Sequence, residues 1–331
     1  MNRTGIRLVG AAMTASAVAI ALTGCVTWPE SELDVAACEL PGVEGTASTS
    51  ITADGAFGEL SGATLPHPLS VTALETTRDG VGTGDPVTPS GVVRANFELL
   101  DGAGGEVLVP YSPTVADESG ASAPTSVATI ANTFPGLAEA IECSQTGERV
   151  VAVMPASVLF GEAAASTGVD PAMTIVAIAD VLDVYPSSAG GRIAAPEDGI
   201  PAVVTAPNGT PGVTMPAQDP PAAPKRHVRI DGYGAPVAEG QAVTMQLSAF
   251  DWTTGEQVAS TWTPGNNVLQ LTMAPTDGLF GLSQEIVGTP VGSQLVVVLP
   301  PERLASQPGP LNATATQGRT LVFVIDILAA E

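Results

Sequence analysis

Histidine is nearly absent from this chain, with two in 331 residues. Neither His67 nor His227 has cysteine or carboxylate neighbours at metal-ligand spacing. That excludes a metalloenzyme, and no metal or cofactor is expected. Cations are scarce too, with 11 Lys and Arg against 34 Asp and Glu and a formal charge of −23. Nucleic-acid binding needs clustered cations to displace phosphate counterions, so nucleic acid is excluded as a partner. A polybasic membrane contact is excluded for the same reason. No Gly-x-Ser-x-Gly elbow occurs, which removes the nucleophile of an α/β-hydrolase. Only three cysteines are present, too few for a disulfide framework.

Those cysteines have distinct settings. Arg3 and Arg7 precede an apolar stretch from Leu8 to Leu22, too short to span a bilayer comfortably. It ends in Leu22-Thr23-Gly24-Cys25, which matches a bacterial lipobox. Residues 1–24 therefore read as a lipoprotein signal peptide and Cys25 as the lipidated residue. The expected location is the outer face of the cytoplasmic membrane, with lipid as the only membrane contact. After cleavage the charge becomes −25, which keeps a tethered protein soluble. Cys38 and Cys143 are then left either to bridge in an oxidising compartment or to stay as two thiols. Their spacing does not decide between these.

An internal repeat sets the organisation. Residues 84–109 align without a gap on 234–259, and Gly84, Pro86, Val87, Val93, Asp101, Gly105 and Glu106 meet identical partners. Residues 136–155 align on 281–300, and 174–182 on 320–328. The period is too long for a solenoid, so a domain has been duplicated. The expected division is a lipidated tether over 25–50, a first domain over 51–187, a Pro/Gly-rich linker over 188–207 and a second domain over 208–331. The linker composition disfavours regular structure.

Within each copy, VVRANFEL and VTMQLSAF alternate like half-buried strands. ERVVAVMP, SQLVVVLP, TIVAIADVL and TLVFVIDIL are short apolar runs suited to a buried sheet. The helical candidates are 134–143 and 279–288. The expected class is α+β, each copy an antiparallel sheet wrapped around one short helix.

The ordered motifs resemble the FKBP-type peptidyl-prolyl cis-trans isomerase domain, twice over. The second copy carries Thr254-Gly255-Glu256, Gly281-Leu282, Val291-Gly292-Ser293-Gln294, Leu299-Pro300-Pro301 and the run from Thr320 to Leu328. The first carries Asp101-Gly102, Gly136-Leu137, Gly147-Glu148-Arg149, Met154-Pro155 and Phe160-Gly161. A lipobox followed by two such domains is similar to the exported FKBP-type lipoproteins of high-GC Gram-positive bacteria.

The resemblance implies an apolar pocket that binds the twisted X-Pro amide and needs no nucleophile, metal or general base. It places the pocket of the first copy at Phe97, Leu108, Phe134, Leu137 and Phe160. In the second copy it falls on Leu247, Val258, Leu282 and Phe323, with Trp252 and Trp262 nearby. The family's pocket aspartate is replaced by Val109 and Ala259, and its flap tyrosine by Phe160 and Ala305. The implied function is isomerisation of unfolded or proline-containing exported polypeptides outside the cytoplasmic membrane. The lost polar groups keep open the alternative of a non-catalytic chaperone or binding lipoprotein with degenerate pockets.

Overall fold

The apolar runs become antiparallel ladders in the computed structural model, which describes residues 38, 42–66, 68–263, 265–276, 278–306, 309, 311 and 316–331. Cys25, the signal segment and His67 lie outside the described residues. In chain order the first copy has α1 (Thr46–Thr49), β1 (Thr52–Asp54), β2 (Gly62–Thr64), β3 (Glu75–Asp79), β4 (Val92–Asp101), β5 (Val107–Pro113) and β6 (Thr125–Ser126). It continues through α2 (Val127–Thr133), α3 (Pro135–Ile141), β7 (Arg149–Pro155), α4 (Ala156–Leu159), α5 (Ala164–Thr167) and β8 (Thr174–Tyr185). The second copy runs β9 (Gly191–Ile193), β10 (Ala202–Thr205), β11 (Pro211–Thr214), β12 (Lys225–Gly232), β13 (Ala242–Asp251), β14 (Gln257–Ser260) and β15 (Leu269–Thr272). It ends with α6 (Ser283–Ile286), β16 (Gln294–Leu299), α7 (Pro301–Ser306) and β17 (Leu321–Ala330).

The first sheet has the order β3-β7-β8-β4-β5 and the second β12-β16-β17-β13-β14, strand for strand the same. Every pairing between these strands is antiparallel. The class is therefore α+β, with two tandem FKBP-like sheets each holding a short helix. The first copy adds α1, α2, α4 and α5 and the second adds α7, short helices that the expectation of one helix per copy did not include; of these α2 borders the site. The Val, Thr and Ile of α2 are poor helix formers, but Ser126 caps the helix by accepting the Thr129 N–H at 3.1 Å. Pro135 then opens α3 at a position where a missing N–H costs nothing.

Helix α3 lies on the concave face of its sheet. It buries Leu137, Ala138, Ala140 and Ile141 against Phe97, Leu99, Ala152, Met154 and Ile175. Gly136 makes that approach possible, since a Cβ there would come within 2.8 Å of the Leu159 Cα and the Val158 carbonyl oxygen. Fully burying each large aliphatic side chain contributes about 1.5–3 kcal/mol.

The convex faces are covered as well, which explains why the central strands are apolar on both sides. Hairpin β1–β2 lays Ile51, Leu60 and Leu65 over Leu100, Val151, Val153, Val176 and Ile178. Hairpin β10–β11 brings Val203, together with Ile200, over Phe250, Trp252, Val296, Val298, Val322 and Val324. A polar clamp anchors the first cover. Arg149 pairs with the fully buried Asp180 (Nε–Oδ1 2.6 Å) and donates to the carbonyls of Gly55 and Ala56. Tyr111 and the Gly58 N–H also donate to Asp180. Burying this ion pair is tolerable because its hydrogen-bonding capacity is used. In the second copy Gln294 and Asp326 take these places, and Asp326 accepts the Ala189 N–H at 2.9 Å.

Two connecting segments are more ordered than expected. Glu75 accepts the Ala47 N–H at 2.9 Å and Ser48 meets Thr77 at 2.8 Å, so residues 42–50 of the expected tether pack on β3. Within the expected linker, β9 pairs with β12 and β10 pairs with β11. In the linker, tertiary pairing overrides the Pro- and Gly-rich composition. Cys38 is bridged to Cys143, with Cα atoms 5.5 Å apart, which resolves the open alternative.

Residues Cys38–Glu331 form one unit, and side chains tie the copies together within it. Asn267 accepts from the Ser126 N–H at 2.8 Å and from the Thr125 hydroxyl at 3.2 Å. The Thr129 hydroxyl donates to the Asn266 carbonyl at 3.2 Å. At the other end Glu331 accepts from Tyr185 at 2.7 Å and from Arg94 at 3.3 Å. No described helix is long and apolar enough to cross a membrane.

Candidate functional site: an aromatic hollow in the first copy

Strand alternation points Phe97 of β4 toward the concave face, beside the break between α2 and α3 where Phe134 leaves the helical region. Their ring centroids are 5.4 Å apart, tilted by 59°. Phe160, at the end of α4, adds a third ring 5.9 Å from Phe134. Both spacings fall in the attractive range for tilted aromatic pairs. Leu137 lies beneath at 1 % exposure. Phe97, Phe134 and Leu137, with Thr114, Val115 and Ile130, line a cavity of about 150 Å³. Phe160 stands on the far side of Phe134 and extends the aromatic row without lining that cavity.

Leu108 does not belong to this group. A bulge in the β4–β5 ladder pairs Leu99 with Val109 and Leu100 with Val107, so Leu108 has no partner. A bulge re-aims side chains, and here Val109 packs on the core while Leu108 is 43 % exposed. The placement of the turn residue at Leu108 is thus corrected by one position.

In the second copy Leu247, Leu282 and Phe323 also gather on the concave face, and Val258 packs against their edge. The corresponding hollow is filled. Phe280 packs against Phe323 as a tilted pair with centroids 5.9 Å apart, and Met273 and Leu279 complete the packing. Phe280 holds a left-handed backbone at φ 58°, uncommon for an aromatic residue. Gly309 lies directly on its ring, where any Cβ would overlap it. Trp252 is not near this site, being buried on the convex face under hairpin β10–β11. Trp262 lies between the copies.

Several lining residues carried no sequence signal. Thr114, Val115 and Ile130 fall between the repeat blocks, in a segment with no motif. Phe280 aligns with Pro135, so the repeat itself gave no reason to place a ring there. That an aromatic replaces a proline was the only clue.

The electrostatics of the hollow are neutral. No residue lining it carries a charge. Two of the hydroxyls lining it bond to the protein, Thr114 to the Ala95 carbonyl at 3.1 Å and Thr129 to the Asn266 carbonyl. The buried carboxyls of this copy, Glu98 and Asp180, sit with Tyr111 on the opposite side of the sheet. Burial pushes the Glu98 carboxyl above its ordinary value, partly offset by the backbone N–H of Tyr111. Burial, together with the bond to Asp180, raises Tyr111 as well. Neither group reaches the hollow. Among the described residues no cluster of His, Cys, Asp and Glu could hold a metal. The hollow can therefore bind an apolar ring and exclude water, and it offers no charged group for proton transfer.

No family model matches the chain. A curated protein of Corynebacterium glutamicum, described as a probable FK506-binding protein, is 34% identical over 102 residues, covering 30% of this chain and 81% of the relative. An FK506-binding protein of Streptomyces anulatus is 27% identical over 119 residues, covering 36% of this chain and 95% of its own. Among solved structures, a putative peptidyl-prolyl cis-trans isomerase, FKBP12, from Mycobacterium tuberculosis is similar at 27% identity and a TM-score of 0.25. That match covers 34% of this chain and 88% of that one. With the strand order repeated in both copies and a relative matched over most of its length, the chain belongs to the FK506-binding protein family of peptidyl-prolyl cis-trans isomerases.

Proposed function

We propose that this protein catalyses cis-trans isomerisation of X-Pro bonds in exported polypeptides, using the hollow of the first copy. The observation that carries the reading is the uncharged, aromatic-lined cavity at Phe97, Phe134 and Leu137. Rotation about an amide crosses a barrier of about 18–20 kcal/mol. The twisted amide loses resonance and carbonyl polarity, so water serves it less well than the planar form. A dry apolar pocket binds the twisted state better, and that difference is the catalysis. The bridge between Cys38 and Cys143 supports an oxidising compartment. Together with the lipobox it supports attachment through Cys25 outside the cytoplasmic membrane, where exported chains arrive unfolded.

A second reading applies to the second copy. Because Phe280 fills its hollow, that copy acts as a non-catalytic partner of the first. The test is refolding of a substrate limited by proline isomerisation, which is slow without catalysis. The full chain should accelerate it, Phe134→Ala should lower kcat/KM about tenfold or more, and Phe323→Leu should leave the rate unchanged. No acceleration at high protein concentration would overturn the reading.

A further inference from the structure

A cleft of about 330 Å³ separates the two copies. Its floor is α2, the same helix that borders the aromatic hollow. Thr129, Ile130 and Thr133 face the hollow, whereas Ala128 and Asn132 face the cleft. Across from them stand Asn208, Trp262 and Asn266 of the second copy. In a chain with 34 acids and 11 bases, none of the residues lining this cleft is charged. The cleft has fixed walls: Asn267 holds the start of α2, and Glu331 holds Arg94 and Tyr185. The turn of hairpin β10–β11 supports the indole, since Gly209 lies against the Trp262 ring with no room for a Cβ.

We propose that this cleft binds the polypeptide flanking the proline, as an extended, uncharged segment that crosses α2 from the aromatic hollow. Side-chain amides and hydroxyls both donate and accept hydrogen bonds, matching the alternating N–H and C=O groups of an extended backbone. Trp262 adds a flat apolar surface for one side chain. An ionic ligand finds no countercharge here. A neutral glycan could also use amides and an indole, but the shared helix sets the cleft beside a proline site. A helix is roughly 10–12 Å across, so about three or four extended residues bridge the two. Client recognition thus requires both copies, and the filled second copy supplies one wall. This inference rests on the isomerase reading for the first copy.

The experiment uses the full chain and three peptides with the same X-Pro core: a short capped peptide, and versions extended by six uncharged residues on either side. The extended peptide running toward the cleft should show a KM about tenfold lower at unchanged kcat. Trp262→Phe and Asn132→Ala should remove that advantage and leave the short peptide unaffected. Tryptophan fluorescence should respond to the extended peptide in the parent protein and not in Trp262→Phe. Equal KM values for all three peptides would overturn the inference. So would a fluorescence response to a neutral oligosaccharide with none to the extended peptide. Failure to isomerise the short peptide would sink the isomerase reading alone; binding of the extended peptide through Trp262 would then still support the cleft, and absence of binding would overturn it too.

Discussion

The side-chain oxygen of Asn267, in the second copy, accepts the backbone N–H of Ser126, the N-cap of α2 in the first, at 2.8 Å. It also accepts from Thr125 and from the Val268 N–H, so one amide oxygen joins the copies at the helix that walls the aromatic hollow. Asn267→Ala should destabilise the chain by about 1–2 kcal/mol. It should also speed amide exchange in α2 more than in β7 or β8. Asn267→Asp retains the acceptor and should recover much of the loss. Equal exchange in α2 for all three proteins would show that the bond carries no weight.

The bulge at β5 has a testable consequence for the site. Because Leu108 faces outward and Val109 inward, Leu108→Ser should change stability by less than about 0.5 kcal/mol. The peptide kinetics should be unaltered. A marked rise in KM would return Leu108 to the pocket.

Glu98 buries one carboxylate oxygen with no hydrogen-bond partner, and burial raises its pKa in the folded chain. A raised folded pKa means the folded state holds its proton when the unfolded chain has released it. The carboxyl is harmless below the unfolded value near 4.3, and it costs stability as pH rises through the folded value. Denaturant titrations should show Glu98→Gln gaining on the parent as pH rises above the unfolded value, with no gain at about pH 3. The second copy already has the neutral solution, a buried Ser248–Ser260 hydrogen bond at 2.8 Å.

Reduction of the bridge provides a fourth test. Cys38 and Cys143 are separated by 105 residues, and closing so long a loop restricts the unfolded chain. Cys38→Ser should cost about 2–4 kcal/mol, and a reductant should lower the parent's midpoint to that of the variant. Because Cys143 closely follows α3, amide exchange at Leu137 should report the same loosening.

The duplication, the strands and the tight turns were legible in the sequence because they are written in local pattern. A strand reveals itself by alternation or an apolar run, and two copies give each other the register. The offsets of the repeat place β4 on β13, β7 on β16 and β8 on β17, whereas the grouping of Phe97, Phe134, Leu137 and Phe160 came from the resemblance to the FKBP-type domain. What the sequence could not decide is what depends on one-residue geometry and on distant partners. A single bulge exchanged Leu108 for Val109 at the core. Phe280 closed the second hollow through a left-handed backbone that no neighbour in sequence announces. Thr114, Val115 and Ile130 joined Phe97 only once the chain had folded back over the sheet. The bond from Asn267 to Ser126 spans 141 residues. Side-chain direction and contacts between remote segments are set by packing, and packing exists only in three dimensions.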